Sequence, residues 1–287
     1  MKLLATAYCL LLAFEGFAGP VNSNSAFAPH TDESIWREKY SFLKLSGGSR
    51  ELEVRQLESV YIYGFNEKLT GVISIPYVHK KLTLGMQTRQ VSGLADIKTL
   101  VKYRIYTEDQ LGKTHRLGVF IGMEWPTGND NERDEFGRIP QPLQLGSGSI
   151  DPIAGLVWTT QTLGWELDAD ISYKMNTRSN AYEFGDLITY NFSYQHRIWP
   201  AELPESGVPS FLYGVLELNG SYAQKDENRG IENGNTGGHR LLLSPGVQWV
   251  TKSWVLEAAV QLPLLEDLNG GALNFDYAYT VGVRWRF

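Results

Sequence analysis

Three sets of residues carry side chains whose type and spacing could do chemistry. Charged residues recur at short even intervals in Lys98, Lys102 and Arg104, in Glu166, Asp168 and Asp170, and in Arg284 and Arg286. Rows of one sign, facing a common cavity, would orient a charged or dipolar solute. The 5 histidines (His30, His79, His115, His196 and His239) could act as bases for a serine nucleophile. The run Asn129-Asp130-Asn131-Glu132-Arg133-Asp134-Glu135 offers hard oxygen ligands.

Spacing removes the second and third sets. No histidine stands in a recognisable hydrolase pattern with a serine, and His239 and Ser244 are an odd number of residues apart, so a regular strand places them on opposite faces. The acidic run lacks the Asp-x-Asp-x-Asp-Gly spacing of a helical calcium loop and reads as a solvated loop. Gly146-Ser147-Gly148 is followed by neither Lys-Ser/Thr nor a helix, so it is a turn and not a phosphate cradle. Neither a metal nor a cofactor is expected, and catalytic residues are expected to be absent.

The charged rows depend on the elements that carry them, and those elements alternate with period two. From Tyr277 through Tyr279, Val281, Val283, Trp285 and Phe287 every second residue is apolar, while Asp276, Thr280, Gly282, Arg284 and Arg286 lie between them. The same pattern sets Trp165, Leu167, Ala169, Ile171 and Tyr173 against Glu166, Asp168, Asp170 and Ser172. Counting such segments predicts about twelve strands, over 37–45, 50–63, 69–78, 95–106, 115–126, 149–160, 163–174, 182–196, 210–224, 238–250, 254–263 and 276–287. Most are long enough to cross a bilayer when tilted. Long links at 79–94, 127–148, 175–181, 225–237 and 264–275 alternate with mostly short ones at 64–68, 107–114, 161–162, 197–209 and 251–253. That asymmetry is expected of a barrel with long outer loops and short periplasmic turns.

Composition narrows the class further. The chain has 287 residues, 43% of them hydrophobic and 20% charged, which excludes a disordered tail. No apolar run reaches the roughly 18 residues of a spanning helix. A formal charge of −6 gives no reason to expect a nucleic-acid partner. Lys2 and the apolar stretch Leu3 to Phe14 read as a secretory leader over residues 1–18, with Ala26-x-Ala28 marking a later alternative cut at 28. The single cysteine, Cys9, lies in that stretch and leaves with it. Residues 29–36 are then a periplasmic segment before a barrel over 37–287, and the chain up to about 36 is placed to plug the periplasmic mouth.

A soluble sandwich also alternates, but its apolar face is aliphatic. Here the apolar rows end in Trp125, Tyr173, Tyr182, Phe184, Tyr190, Tyr194, Trp249, Trp254, Tyr277 and Trp285, as expected of rings at the two membrane interfaces. The predicted fold is therefore all-β: a transmembrane antiparallel β-barrel of the bacterial outer-membrane type. Its ending, with Trp285 and the terminal aromatic Phe287, resembles the signal by which bacterial outer-membrane proteins are recognised for barrel assembly.

Several runs carry a family resemblance. They are Tyr63-Gly64-Phe65-Asn66-Glu67-Lys68-Leu69, Ile75-Pro76-Tyr77-Val78, Gly93-Leu94-Ala95-Asp96-Ile97, Lys102-Tyr103-Arg104, Trp125-Pro126-Thr127-Gly128, Leu145-Gly146-Ser147-Gly148-Ser149, Gly185-Asp186, Leu243-Ser244-Pro245-Gly246-Val247-Gln248 and Gln261-Leu262-Pro263. In this order, over about residues 50–287, the chain resembles the outer-membrane family of meta-pathway phenol-degradation proteins. Ala95 departs from the glycine usual there. The resemblance implies a transporter-like barrel.

The expected function is passive passage, inward or outward, of a small aromatic or otherwise hydrophobic solute. Lys98, Lys102, Arg104, Glu166, Asp168, Asp170, Arg284 and Arg286 are the expected lumen lining, with Phe120, Phe211 and Tyr213 as apolar contacts. Two readings of these rows stay open: they pair and fill the interior, or they line a path. Outer-membrane lipid, lipopolysaccharide above the acidic loop, and the assembly machinery are the expected partners. The alternatives are an integral lipid-modifying enzyme and a closed structural or adhesion barrel that binds through loops 127–148 and 225–237.

Overall fold

The computed structural model describes residues 19–202 and 210–287, so the predicted leader lies outside the described residues. Twelve strands form the wall: β1 (Ser34–Gly47), β2 (Arg50–Gly64), β3 (Leu69–Leu84), β4 (Ile97–Gln110), β5 (Lys113–Trp125), β6 (Asp151–Thr162), β7 (Trp165–Lys174), β8 (Leu187–Trp199), β9 (Phe211–Ala223), β10 (Gly238–Val250), β11 (Trp254–Leu268) and β12 (Asn274–Arg286). Each pairs antiparallel with its sequence neighbours, and β1 also pairs with β12 from Ile35↔Arg286 to Ser46↔Asn274. The sheet therefore closes and leaves no spanning edge, the condition for strands to cross a membrane. Phe287 completes the seam by exchanging backbone hydrogen bonds with Ser34 at 2.9 and 3.0 Å.

Alternation sorts the side chains as expected. Leu57, Ile73, Val101, Ile121, Phe192 and Val281 are exposed on the outer wall, where lipid covers them, while Asp168, Ser193, Gln195, Glu217, Ser244 and Gln248 are fully buried within. Aromatics collect at one level near the periplasmic end, where Tyr61 faces Trp36, Trp36 faces Trp285, and Trp285 faces Trp254 across four neighbouring strands.

β1 begins at Ser34, inside the expected periplasmic segment 29–36, and β11 runs on to Leu268; two further boundaries differ more. Residues 79–94 are not a loop: β3 continues to Leu84 and the strand Gln87–Leu94 returns along it, because Gly85 at φ 60 permits a tight turn. That strand and β4 are one path along β3, broken at Ala95–Asp96 opposite Pro76, whose carbonyl accepts from the Ala95 N–H at 2.9 Å. Residues 182–186 precede β8, and Tyr182–Glu183 joins Glu227–Asn228 and Ile231–Glu232 in a small sheet of the outer loops.

The charged lumen and its internal segment

The lumen is crossed by the chain's own residues. Residues 19–30 lie inside the barrel and end at the periplasmic rim, where the His30 carbonyl stands against Gly64, and inward side chains of many strands bind their backbone. The Ala26 N–H donates to Thr159 Oγ1 at 2.8 Å, and Lys102 Nζ donates to the Ser25 carbonyl at 2.8 Å. Asp170 accepts from the Asn24 N–H at 3.1 Å and from its amide nitrogen at 3.2 Å. Glu217 accepts from the N–H groups of Val21 at 2.6 Å and Asn22 at 3.0 Å. At the segment's start, Arg37 donates to the Val21 carbonyl at 2.6 Å, Arg284 to Pro20 at 2.7 Å, and Gln248 to Gly19 at 2.5 Å. A strand-free segment cannot pair its own backbone groups, and in a buried lumen these side chains supply what water would otherwise give.

A carboxylate organises the last three donors. Glu257, fully buried, accepts from Arg37 at 2.6 Å, Arg284 at 2.5 Å and Gln248 at 3.2 Å, which fixes each side chain where the segment needs it. On β7, Asp168 accepts from Thr159 at 2.5 Å and from Gln195 at 3.0 Å, and Gln195 also reaches Glu166 at 3.4 Å.

The expected lumen residues thus separate by depth. Lys102, Asp170 and Arg284 touch the internal segment, while Asp168 acts on it through Thr159. Arg104 reaches the Glu67 carbonyl in the periplasmic turn and Arg286 pairs with Glu33 at the rim, so neither faces the middle of the lumen. Lys98 lies on the other side of the segment, paired with Glu124 at 3.0 Å. The lysine–arginine row is therefore not one electrostatic surface, because strand tilt spreads it over three levels. Phe120 packs with Ala26 and Val157, and Phe211 packs with Ile35, Val250 and Val255, with Tyr213 and Phe27 against that cluster. These rings wedge the segment from two sides. Gly155 makes room for one of them, since a Cβ there would come within 2.4 Å of the Phe120 ring and 2.6 Å of the Ile171 carbonyl.

Cavities remain above and below the segment. The outer one, about 280 Å³, is lined by Lys80, Lys98, Glu124, Lys174 and Phe184, among others. The inner one, about 100 Å³, lies among Ser23, Phe27, Arg37, Lys102 and Arg284.

The outer cavity has a roof that the sequence presents as a solvated loop. Within residues 126–150, Ile139, Leu143 and Leu145 pack on Val78 and Val91, and Gln144 is buried. Asp96, at the break before β4, accepts from the Gly128 N–H at 2.9 Å and from the Ser147 N–H and hydroxyl at 2.6 and 2.8 Å. Three of the runs that carry the family resemblance meet at this carboxylate. The approach needs a glycine at 146, where a Cβ would lie 2.4 Å from the Gly128 carbonyl and 2.7 Å from Asp96.

Further out, Arg89 clamps the loop by donating to Asp134 at 2.8 and 2.7 Å, and those hydrogen bonds hold the Asp134 carboxyl below its usual range. A carboxyl lowered in the folded state contributes stability above its ordinary pKa and loses it as pH falls through the lowered value. Pepsin cleavage within residues 129–138 is therefore expected to stay slow where a free aspartate begins to protonate and to accelerate only below that. Arg89→Leu should remove the delay.

Histidines occupy other places. His115 bonds Thr160 at 2.7 Å, His196 bonds Tyr194 at 3.1 Å, and His239 stacks on Tyr190 and bonds its hydroxyl. His79 Nδ1 meets Ser92 Oγ at 2.6 Å as cross-strand neighbours of the outer hairpin, and among the described residues no carboxylate bonds His79.

Glu217, Glu257, Arg37, Gln195 and Gln248 are not among the expected lumen residues. Their signal was present: each is a polar residue at inward parity in an alternating segment, isolated and so not read as a row.

Residues 20–262 match the family described as "Putative MetA-pathway of phenol degradation". Among solved structures the chain is similar to the COG4313 outer membrane channel from Pseudomonas putida F1, with a TM-score of 0.69 and 12% identity, covering 93% of this chain and 100% of that one. It is also similar to the beta domain of the Bordetella autotransporter BrkA, with a TM-score of 0.51 and 14% identity, covering 89% and 100%. At these identities the likeness is one of fold. No protein of curated function matches the chain.

Proposed function

The chain belongs to the outer-membrane MetA-pathway phenol-degradation family, and from that premise we propose that it is a passive channel for small, aromatic or otherwise hydrophobic solutes, kept shut by its own residues 19–27. One observation carries the reading: the segment that fills the lumen is held only by hydrogen bonds, ion-pair partners and packing, with cavities of about 280 and 100 Å³ on either side. A wall closed by continuous backbone hydrogen bonding, with a displaceable filling, is suited to passage down a gradient. Phe184 supplies an aromatic face in the outer cavity, and Lys98, Lys174 and Glu124 supply its dipolar edge.

The channel reading is preferred to a lipid hydrolase because the His79–Ser92 contact lacks an orienting carboxylate among the described residues. Outer-membrane lipid and lipopolysaccharide are the surroundings this reading requires. Trp285 and Phe287 are the assembly signal in it, and removal of Phe287 should lower the heat-modifiable, membrane-inserted fraction.

The test is single-channel recording in a planar bilayer, with a small phenolic on one side. Openings that the phenolic blocks are expected. Lys98→Gln should shift ion preference towards cations, since Lys98 is the most exposed of the ion-paired lysines at the cavity. Unchanged conductance, selectivity and block in that variant would remove the outer cavity from the solute path.

A further inference from the structure

The outer wall carries one feature that neither the lumen nor the roof accounts for. Two residues above the periplasmic aromatic level, β1 presents Glu38 on the lipid side of the sheet, between Trp36 and Tyr40. Its neighbours on adjoining strands are Ser59 and Val283, and beyond them lie Ile75 and Leu256. An ionisable group among such residues is costly in a membrane unless it is paired.

The carboxylate leans back towards the interface, where Oε1 accepts from Trp36 Nε1 at 2.7 Å and Ser59 Oγ lies 2.9 Å from both oxygens. Both donors are neutral, and a carboxylate has about four acceptor positions, so charge and lone pairs remain. Below it the rings of Trp36 and Tyr61 stand 6.1 Å apart and tilted by 53°. The Tyr61 hydroxyl is tied to Ser34 Oγ at 2.8 Å, which fixes the ring. An anion with free lone pairs beside two aromatic faces is the chemistry that recognises an ammonium group.

We propose that Glu38, Trp36 and Tyr61 form a binding site for the ammonium headgroup of an aminophospholipid in the periplasmic leaflet. Depth and charge select this occupant. The site sits at the aromatic level on the periplasmic side, where phospholipid headgroups meet the wall, and its unmatched charge is negative. The ammonium donates to the free positions of Glu38 and lies against the Trp36 face, while the acyl chains run up the apolar strip of Val283, Leu256 and Ile75. A lysine from another protein would offer the same ammonium, but the adjoining wall is apolar and suits acyl chains.

The experiment reconstitutes the mature protein into nanodiscs containing equal phosphatidylethanolamine and phosphatidylglycerol, and counts retained lipids by native mass spectrometry. Wild type is expected to retain phosphatidylethanolamine in about fivefold preference. Glu38→Gln should abolish the preference while leaving heat-modifiability intact. If Glu38→Gln does not fold, Trp36→Leu decides, because it removes both a donor and a ring and should likewise lose the preference. Equal retention of the two lipids by wild type, or undiminished preference in either variant, overturns the site.

Discussion

A protein lacking residues 19–27 is expected to insert and fold as the full chain does, yet to conduct with a single-channel conductance on the order of tenfold higher. The expectation separates what builds the wall from what fills it. Every wall strand is paired on both sides by backbone hydrogen bonds, and none of those ladders includes the internal segment. What the deletion exposes is polar: Glu217, Asp170, Arg37, Arg284, Lys102 and Thr159 lose segment partners and gain water. Each lost hydrogen bond is worth about 1 kcal/mol net, and hydration returns much of that. Phe120 and Phe211 lose packing against Ala26 and Phe27 but stay covered by wall residues.

The roof gives the control. It is fixed by Asp96, Gly146 and Arg89 on different elements, so Asp96→Ala should loosen it without the large conductance step. If the deletion folds and its conductance equals that of wild type, the roof or the outer cavity sets the resistance, and the segment is not the closure.

How much of this was legible in the chain follows from what each level depends on. The barrel was readable because period-two alternation is a local property and survives in every strand: Tyr277 to Phe287 shows it as plainly in sequence as in the wall. The hairpin at 79–94 was less readable, because its outer face meets water while its covered face mixes Lys80 and Arg89 with Leu82 and Val91, so the alternation fades; Lys80 and Lys81 stand side by side there. In the acidic loop, Asn129 to Glu135 are exposed in large part, but its anchoring lies in Ile139, Leu143 and Leu145, which pack on Val78 and Val91, far away in sequence. Charged rows were found where like charges repeat, as at 166–170. The groups that bind the segment are single residues on separate strands, and only closure of the barrel brings Arg37, Glu217 and Glu257 together.

That assembly leads to the second large effect, at Glu257. Glu257→Gln is expected to cost about 3–5 kcal/mol, read as a lower temperature for loss of the compact heat-modifiable form. The carboxylate is fully buried, and Arg37 and Arg284 are 15% and 11% exposed, so the change leaves two guanidinium groups facing one another with little water. The same groups hold the start of the internal segment through the carbonyls of Val21 and Pro20, so the variant should also open more often. Stability and closure can be told apart by replacing all three residues with apolar ones, Arg37→Met, Glu257→Leu and Arg284→Met. A buried ionic cluster exchanged for well-packed apolar side chains is often neutral in stability, so the folded barrel should recover most of the lost temperature. Closure should not recover, because no donor then reaches the Val21 and Pro20 carbonyls, and Gln248 alone remains on Gly19. A triple variant that regained both stability and closure would mean that the hydrogen bonds of Glu217, Asp170, Thr159 and Lys102, with packing by Phe120 and Phe211, hold the segment, and that the arginines serve only the wall.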